Sequence, residues 1–523
     1  MAVDTKAWLI GGGIGSLAAA AFMIRDGGMP GSHITILESA PLMGGALDAH
    51  GTPATGYCLP GGRMLTADNY ECTWDLFRSI PSLDHEGQSV HDETLAFNTQ
   101  HHAHSLARLV DARCAKVPVA SMGFTMHDRA ELLKLSLADE ATLGDSCITD
   151  WLSPAFFETE FWAMWVTTFA FQPWHSAAEL RRYLHRFVLE FTRIETLGGV
   201  KRTVYNQYDS LVAPLLTWLR AHGVNLVNDC VVTDFDSIED ARGYTVTGLH
   251  GRRDGERFEI EIGNDDQVYF QNASMTDAMS IGSMHRAPSK RDRGDSGGWV
   301  LWESLAAGRP QFGRPAAFNR SIAETCWESF TVTLDDPAFF ARMEQFTGNV
   351  AGTGGLVTFR DSNWLMSIVL AHQPHFINQP PDVQVFWGYG LKPDRIGNFV
   401  AKAMADCTGA EILQELSGHL RFDAALLAHG NCIPCRMPYI TSMFMPRRPG
   451  DRPLPVPAGS RNLSLISQFV ELAEDCVFTV EYSVRAAQTA VYQRMGITRT
   501  IPAVTPHDHS LQVQFEAVLK AFR

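Results

Sequence analysis

Near the amino terminus an apolar run, Ala7-Trp8-Leu9-Ile10, passes directly into Gly11-Gly12-Gly13-Ile14-Gly15-Ser16 and then into an alanine-rich stretch ending at Arg25. Read as a hydrophobic segment alone, Ala7 to Ile24 would resemble a signal peptide or a membrane span. Three consecutive glycines inside it argue for another order: a buried strand ending at Ile10, a tight turn, and a helix over Ser16 to Arg25. Gly11 and Gly13 take the first two glycine positions of a dinucleotide fingerprint. The first allows the turn, and the second lets the backbone approach a pyrophosphate at the helix N-terminus. Gly15 keeps that helix start free of side chains, and Ser16 stands at the third glycine position, where a small residue still permits close helix–strand packing.

The downstream sequence supports the reading. His33 to Leu37 is a second strand candidate, and Glu38 closes it, where a carboxylate can accept hydrogen bonds from ribose hydroxyls. Gly44 and Gly45 then allow a second close approach to phosphate. The extreme N-terminal position, the trailing Gly-Gly and the chain length of 523 residues fit FAD better than NAD. There is no second GxGxxG for a nicotinamide cofactor, so a bound flavin need not imply redox turnover.

A chain this long exceeds one hydrophobic core, so at least two domains are expected. The formal charge of -15 repels phosphate backbones and argues against nucleic acid as a partner. It gives no electrostatic help at anionic membranes either, which leaves only local hydrophobic, transient membrane contact. Ten irregularly spaced cysteines do not form a disulfide framework and fit a cytoplasmic protein, peripheral to the membrane at most. Cys432 and Cys435 form a C-x-x-C without a second ligand pair. Pro434 and Pro438 suggest a structural turn there, and no metal site is expected.

Further strand candidates are Val224 to Val227, Val268 to Phe270 and Asn462 to Ser467. Their separation predicts an α/β fold: a Rossmann-type FAD-binding domain with an inserted α+β substrate domain and a helical C-terminal part. The expected FAD unit is residues 1–85, about 200–287 and about 455–500. Residues 86–199 and 288–454 form the expected substrate region, and residues 501–523 the C-terminal helix. Pro288 to Gly298 and Pro446 to Gly459 read as domain boundaries or exposed loops. Phe156 to Trp174 is dense in aromatics and reads as core, part of it a wall for an acyl chain. Glu179 to Arg193 reads as an amphipathic helix. Leu511, Phe515, Val518, Leu519 and Phe522 share one face of the last helix, expected to pack on the body of the protein, with a lipid-touching or dimer-forming helix as the alternative.

Several long blocks resemble the oleate hydratases, also called the myosin-cross-reactive antigen family. They are Pro60 to Leu83 (PGGRMLTADNYECTWDLFRSIPSL), Glu179 to Phe187, Arg202 to Leu211 (RTVYNQYDSL), Asp361 to Phe376, Cys432 to Arg447 and Ser467 to Ala487. The resemblance implies a hydro-lyase that adds water to the cis-9 double bond of an unsaturated free fatty acid, oleate giving 10-hydroxystearate. It implies FAD in a structural and electrostatic role, the reduced form being the more active. Tyr183 corresponds to the residue that protonates the alkene, Gln207 to a residue near the reacting carbon, and His375 to one that holds the substrate carboxylate. By the same resemblance Gly61, Gly62, Arg63, Val231, Ser274, Phe469 and Asp475 join the flavin contacts. Trimmed ends relative to many members favour a monomer over a homodimer.

Two departures stand out. Position 64, directly after GGR, is usually a glutamate that activates water, and here it is Met64. The threonine and asparagine that often precede QPH and contact the carboxylate are replaced by Val369 and Ala371. Without an acid at 64, water would be held by Gln207, by backbone carbonyls or by the reduced flavin, with Asp68 and Glu71 as substitutes only if a loop brings one inward. Taken alone, Tyr183 reads as a packing tyrosine, and Gln207 and His375 as loop residues. The alternative function is an FAD-dependent oxidoreductase on lipid or isoprenoid substrates, a desaturase or amine-oxidase-like enzyme. A non-catalytic lipid-binding protein is the third reading.

Overall fold

The computed structural model describes residues 5–62, 64–353 and 355–523. The N-terminal run folds as a strand, Ala7–Ile10, that enters the Ile14–Arg25 helix through the glycine turn. The strand pairs in parallel with Ile34–Leu37 on one side and Gln267–Phe270 on the other. Asn225–Val227 and Leu463–Leu465 complete a five-stranded parallel sheet drawn from segments hundreds of residues apart. A parallel sheet needs both faces covered. The Ile14–Arg25 helix and the long Val480–Met495 helix supply cover and pack on each other, with Leu17 through Ala20 and Ala486, Ala487 and Ala490 fully buried. Small residues at this contact let the helices approach closely, which is why the first helix reads as apolar nearly all round.

A second, larger sheet has eight strands and is mostly antiparallel. At its centre Trp327–Leu334 lies between Asn431–Met437 and Gln384–Gly390, followed outward by Met366–Val369 and Leu356–Phe359. All eight residues of Trp327–Leu334 are buried, as expected of a central strand covered on both faces. A separate three-stranded antiparallel sheet, Cys230–Asp240, Gly243–Arg253 and Glu256–Glu261, packs on the parallel sheet, with Phe235 against Phe270.

Four expectations need correction. The amphipathic stretch from Glu179 is two helices, Ala177–Arg186 and Val188–Thr192, because Phe187 leaves helical geometry at φ -108°, ψ 32°. The stretch Pro288 to Gly298 is not all loop, since it holds a 3-10 turn at Arg293–Asp295 and the start of the Gly297–Ala306 helix. Cys432 and Cys435 sit in the Asn431–Met437 strand, not in a turn, and burial pushes both thiols far up, which makes them inert. The last helix, Leu511–Ala521, does not bury its apolar face: Leu511 is 80% and Phe515 62% exposed. It is held to the body instead by Lys520 pairing with Glu195 and by Arg129, which stacks on Phe522 and donates to the Ala521 carbonyl. All ten cysteines are free thiols. Among the described residues no helix is long and apolar enough to cross a membrane.

Candidate functional site

The glycine turn forms a cradle that only backbone can line. Gly11 sits at φ +95°, Gly44 at +134° and Gly45 at +56°, all in the region that favours glycine. Gly44 N donates to the Gly12 carbonyl at 2.9 Å, so the second Gly-Gly loop closes directly over the first. A Cβ on Gly15 would stand 2.5 Å from the Ile466 carbonyl oxygen, and one on Gly45 3.0 Å from the Gly13 Cα. No side chain caps the N-terminus of the Ile14–Arg25 helix, so its first amides remain available to an anion. Ser16 is buried, and Gln271 Nε2 bridges Ser16 Oγ at 3.0 Å and the Gly11 carbonyl at 2.8 Å. Glu38 lies at the strand end, where its carboxylate accepts from Gly12 N, Ala40 N and Ser39 Oγ. A glycine-walled, uncapped helix start beside a fixed carboxylate fits the pyrophosphate and ribose of a dinucleotide.

The other expected flavin contacts come from separate segments. Ser274 Oγ is within 3.1 Å of Thr276 Oγ1, and Val231 belongs to the Cys230–Asp240 strand. The Phe469 ring is fully buried against Trp299, Trp302 and Phe318. Asp475 is ion-paired to Arg186 at 3.2 Å and Arg485 at 2.8 Å. Arg63 lies outside the described residues.

A cavity of about 140 Å³ opens between the larger sheet, which contributes Trp327, Leu356, Val369, Trp387 and Tyr389, and the helices that carry Phe169, Tyr183 and Glu190; it is well above the ~10–15 Å³ that one water needs. Gly62, Met64, Tyr183, Gln207, Val369, Ala371 and His375 all line it, so four remote stretches of chain converge on one space. Local bonds hold each stretch. Tyr70 Oη donates to the Met64 carbonyl at 3.2 Å, and Gln207 Nε2 to the Gly61 carbonyl at 2.8 Å. Asn206 donates through N at 2.8 Å and Nδ2 at 3.0 Å to the His375 carbonyl. Gln379 Oε1 accepts from His375 N at 2.8 Å.

Tyr183 is 1% exposed, packed edge-on against Phe169 and Phe171, with its hydroxyl donating to the Val477 carbonyl at 2.6 Å. Burial pushes its phenol well above the ordinary value near 10, so the hydroxyl keeps its proton. The helix carrying it is fixed from behind. Glu179, completely buried, faces Arg447 at 2.8 Å and Arg452 at 3.0 Å. Burial raises the Glu179 carboxyl, but Arg452, Arg447 and Arg182 outweigh it and hold the group at about 2. His375 lines the cavity as a neutral imidazole, since desolvation, with Arg202 and His372 nearby, lowers it to about 3.

Asp68 and Glu71 do not enter the cavity. Asp68 pairs with Arg193 at 2.9 Å and Glu71 with Arg186 at 2.6 Å. Two lining residues escaped sequence reasoning. Glu190 follows Tyr183 and Phe187 along the cavity wall and pairs with Arg193. Arg202 enters from the Val200–Lys201 strand, which pairs with Leu65–Thr66 in the register Leu65↔Lys201. Met64 and Arg202 are therefore the next residues across from each other. Helical spacing after Tyr183 and Phe187 places Glu190 on the same wall, whereas nothing in the local RTVYNQY pattern marks Arg202.

Together the parallel sheet, the glycine cradle and the largely apolar cavity define a dinucleotide-fold enzyme. The MCRA family matches residues 4–492, and this chain belongs to that family. An oleate hydratase of Streptococcus pyogenes serotype M49 (strain NZ131) is 40% identical, covering 96% of this chain and 87% of that one. A linoleate hydratase of Lactiplantibacillus plantarum is 34% identical over 99% of each chain. In fold the chain is similar to cyclohexylamine oxidase from Brevibacterium oxydans IH-35A, with a TM-score of 0.54 at 12% identity over 94% of this chain and 99% of that one. An oxidoreductase from Methanosarcina mazei gives 0.51 at 12% identity, over 94% and 100%.

Proposed function

We propose that this protein is a hydro-lyase that adds water across a cis double bond of an unsaturated free fatty acid, with oleate to 10-hydroxystearate as the reaction to test first. The observation that carries the reading is the single apolar cavity that gathers Tyr183, Gln207, Met64 and His375. Residues 1–85, about 200–287 and about 455–500 are taken as the FAD-binding unit, with Gly11, Gly13, Gly15, Ser16, Glu38, Gly44 and Gly45 holding the dinucleotide. When bound, FAD would supply positioned charge without net redox change.

Hydration needs a proton at one alkene carbon and water oxygen at the other. The intermediate is cation-like, so the residues must exclude bulk water and hold both partners in place. Tyr183 gives its phenolic proton to the alkene, water oxygen bonds to the adjacent carbon, and a water proton restores the phenol. Gln207 spends its Nε2 on the Gly61 carbonyl, which leaves Oε1 to accept a hydrogen bond from the attacking water. Met64 contributes apolar wall and no proton acceptor.

The test is anaerobic incubation of the flavin-loaded protein with oleate and a flavin reductant, read by mass spectrometry. A product heavier by one water is expected. A product lighter by two hydrogens would replace this reading with the oxidoreductase that the fold likeness also allows. Tight fatty-acid binding without product at either flavin redox state would reduce the protein to a lipid carrier.

A further inference from the structure

A fatty acid presents one charge to this cavity, its carboxylate, and something in the wall has to meet it. Val369 and Ala371 offer no polar side chain there. His375 is neutral. Glu190 is the acid on the wall and is taken by Arg193.

Arg202 is different. It lines the cavity, and its Nε is buried with no hydrogen-bond partner among the described residues. No carboxylate among the described residues pairs with it. Asn98 engages only its backbone, through N at 3.0 Å and the carbonyl at 2.7 Å. Burial alone lowers this guanidinium, to about 10, so it stays protonated at neutral pH. The contrast with Arg108 is instructive. Arg108, fully buried nearby, spends its guanidinium on the Leu356 and Ile194 carbonyls and on Thr168 Oγ1. Arg202 has no such set of acceptors.

The backbone makes room for the Arg202 head group at one particular end of the cavity. A Cβ on Gly355 would stand 2.3 Å from Arg202 Nη2, and Gly355 itself sits at φ +65°. Gly355 directly precedes the Leu356–Phe359 strand, whose partner register is Leu356↔Val369. Arg202 Nη2 therefore lies at the start of the strand that pairs with Met366–Val369, near the segment from Val369 to Ala371, whose side chains are all apolar. An uncompensated buried cation is costly and persists where a counter-charge completes it.

We propose that Arg202 is the carboxylate anchor of this cavity: its guanidinium, set against Gly355 and without an ion-pair partner among the described residues, receives the head group of the fatty acid. The assignment rests on the fatty-acid reading above but not on the hydration step. The planar fork suits bidentate capture of a carboxylate. It also sets the substrate's direction, head group at Arg202 and acyl chain toward the Tyr183 wall.

The test compares binding of cis-9-octadecenoate with that of cis-9-octadecen-1-ol, which has the same chain and no charge, to the flavin-loaded wild type, Arg202→Gln and Arg202→Lys. Calorimetry gives affinities whether or not turnover occurs, and kcat and KM are measured alongside. The wild type is expected to prefer the acid. Arg202→Gln should lose about 10- to 100-fold in acid affinity, the value of a charge-assisted bond, with alcohol affinity unchanged. Arg202→Lys should restore part of the acid preference. Three results would overturn the assignment: a wild type that binds alcohol as tightly as acid, an Arg202→Gln protein with wild-type acid affinity, or equal losses for acid and alcohol. Should Arg202→Gln fail to fold, the wild-type comparison still decides. Acid-selective binding without any hydroxy product would sink the hydratase reading and leave the anchor standing.

Discussion

Removing one oxygen from Tyr183 separates its structural role from its chemical one. Tyr183→Phe keeps the ring and therefore the contacts with Phe169, Phe171, Phe187 and Phe444. It leaves the Val477 carbonyl without the hydroxyl donor at 2.6 Å. An abandoned buried acceptor costs about 1–3 kcal/mol of stability, against the 5–15 kcal/mol typical of folded proteins. The variant should therefore stay folded and keep its flavin. A general acid contributes about 10²- to 10⁴-fold in rate, or ~3–5 kcal/mol of barrier. The assay is initial rates of hydroxy-acid formation, with flavin absorbance and a denaturant titration on the same preparation. Two independent losses are expected: a small one in denaturant midpoint and a large one in kcat. If kcat stays within about tenfold of wild type (~1.4 kcal/mol) while the stability loss appears, the hydroxyl is a packing group and not the acid.

The remaining predictions concern position 64, the cradle and the charge cluster behind the Tyr183 helix. Met64→Glu places a carboxylate across from Arg202, so turnover on oleate should be unchanged or lower; a clear rise in kcat would show that water activation at this position had been limiting. Gly15→Ala drives a Cβ against the Ile466 carbonyl and is expected to weaken FAD binding by about tenfold or more, read as flavin absorbance per protein; full occupancy would contradict the cradle assignment. Glu179→Gln leaves Arg447 and Arg452 without their buried partner and should cost ~3–5 kcal/mol at pH 7. Because the Glu179 carboxyl is lowered from 4.5 to about 2, its stabilisation is present above pH 4.5 and lost as pH falls toward 2. Unfolding titrations should show the wild type losing more stability across that window than Glu179→Gln, and parallel acid limbs would refute the linkage.

Much of the first sheet was legible from sequence because its signals are local. Glycines at fixed spacing can serve only a backbone-lined turn, and an acid at the end of the next strand has one geometric place to go. Its five strand candidates match the observed strands to within a residue or two. The break at Phe187 was not legible, since amphipathic periodicity continues across it, and neither was the exposure of Leu511 and Phe515, because periodicity reports a face but not what covers it. Candidate residues for the cavity came from a resemblance of whole blocks. Residues 64, 183, 207 and 375 carry no local pattern that would bring them together.

The sequence alone determined a dinucleotide fingerprint and the family, and through these the class of fold. Tertiary structure decided the rest: that Asp68 and Glu71 turn to arginines and away from the cavity, that Glu190 and Arg202 turn toward it, and that Arg202 arrives with no carboxylate partner among the described residues. The reason is range. Turn and strand chemistry is set by neighbours a few residues apart, whereas the partner of a charge is whatever side chain the completed packing leaves within a few ångströms of it.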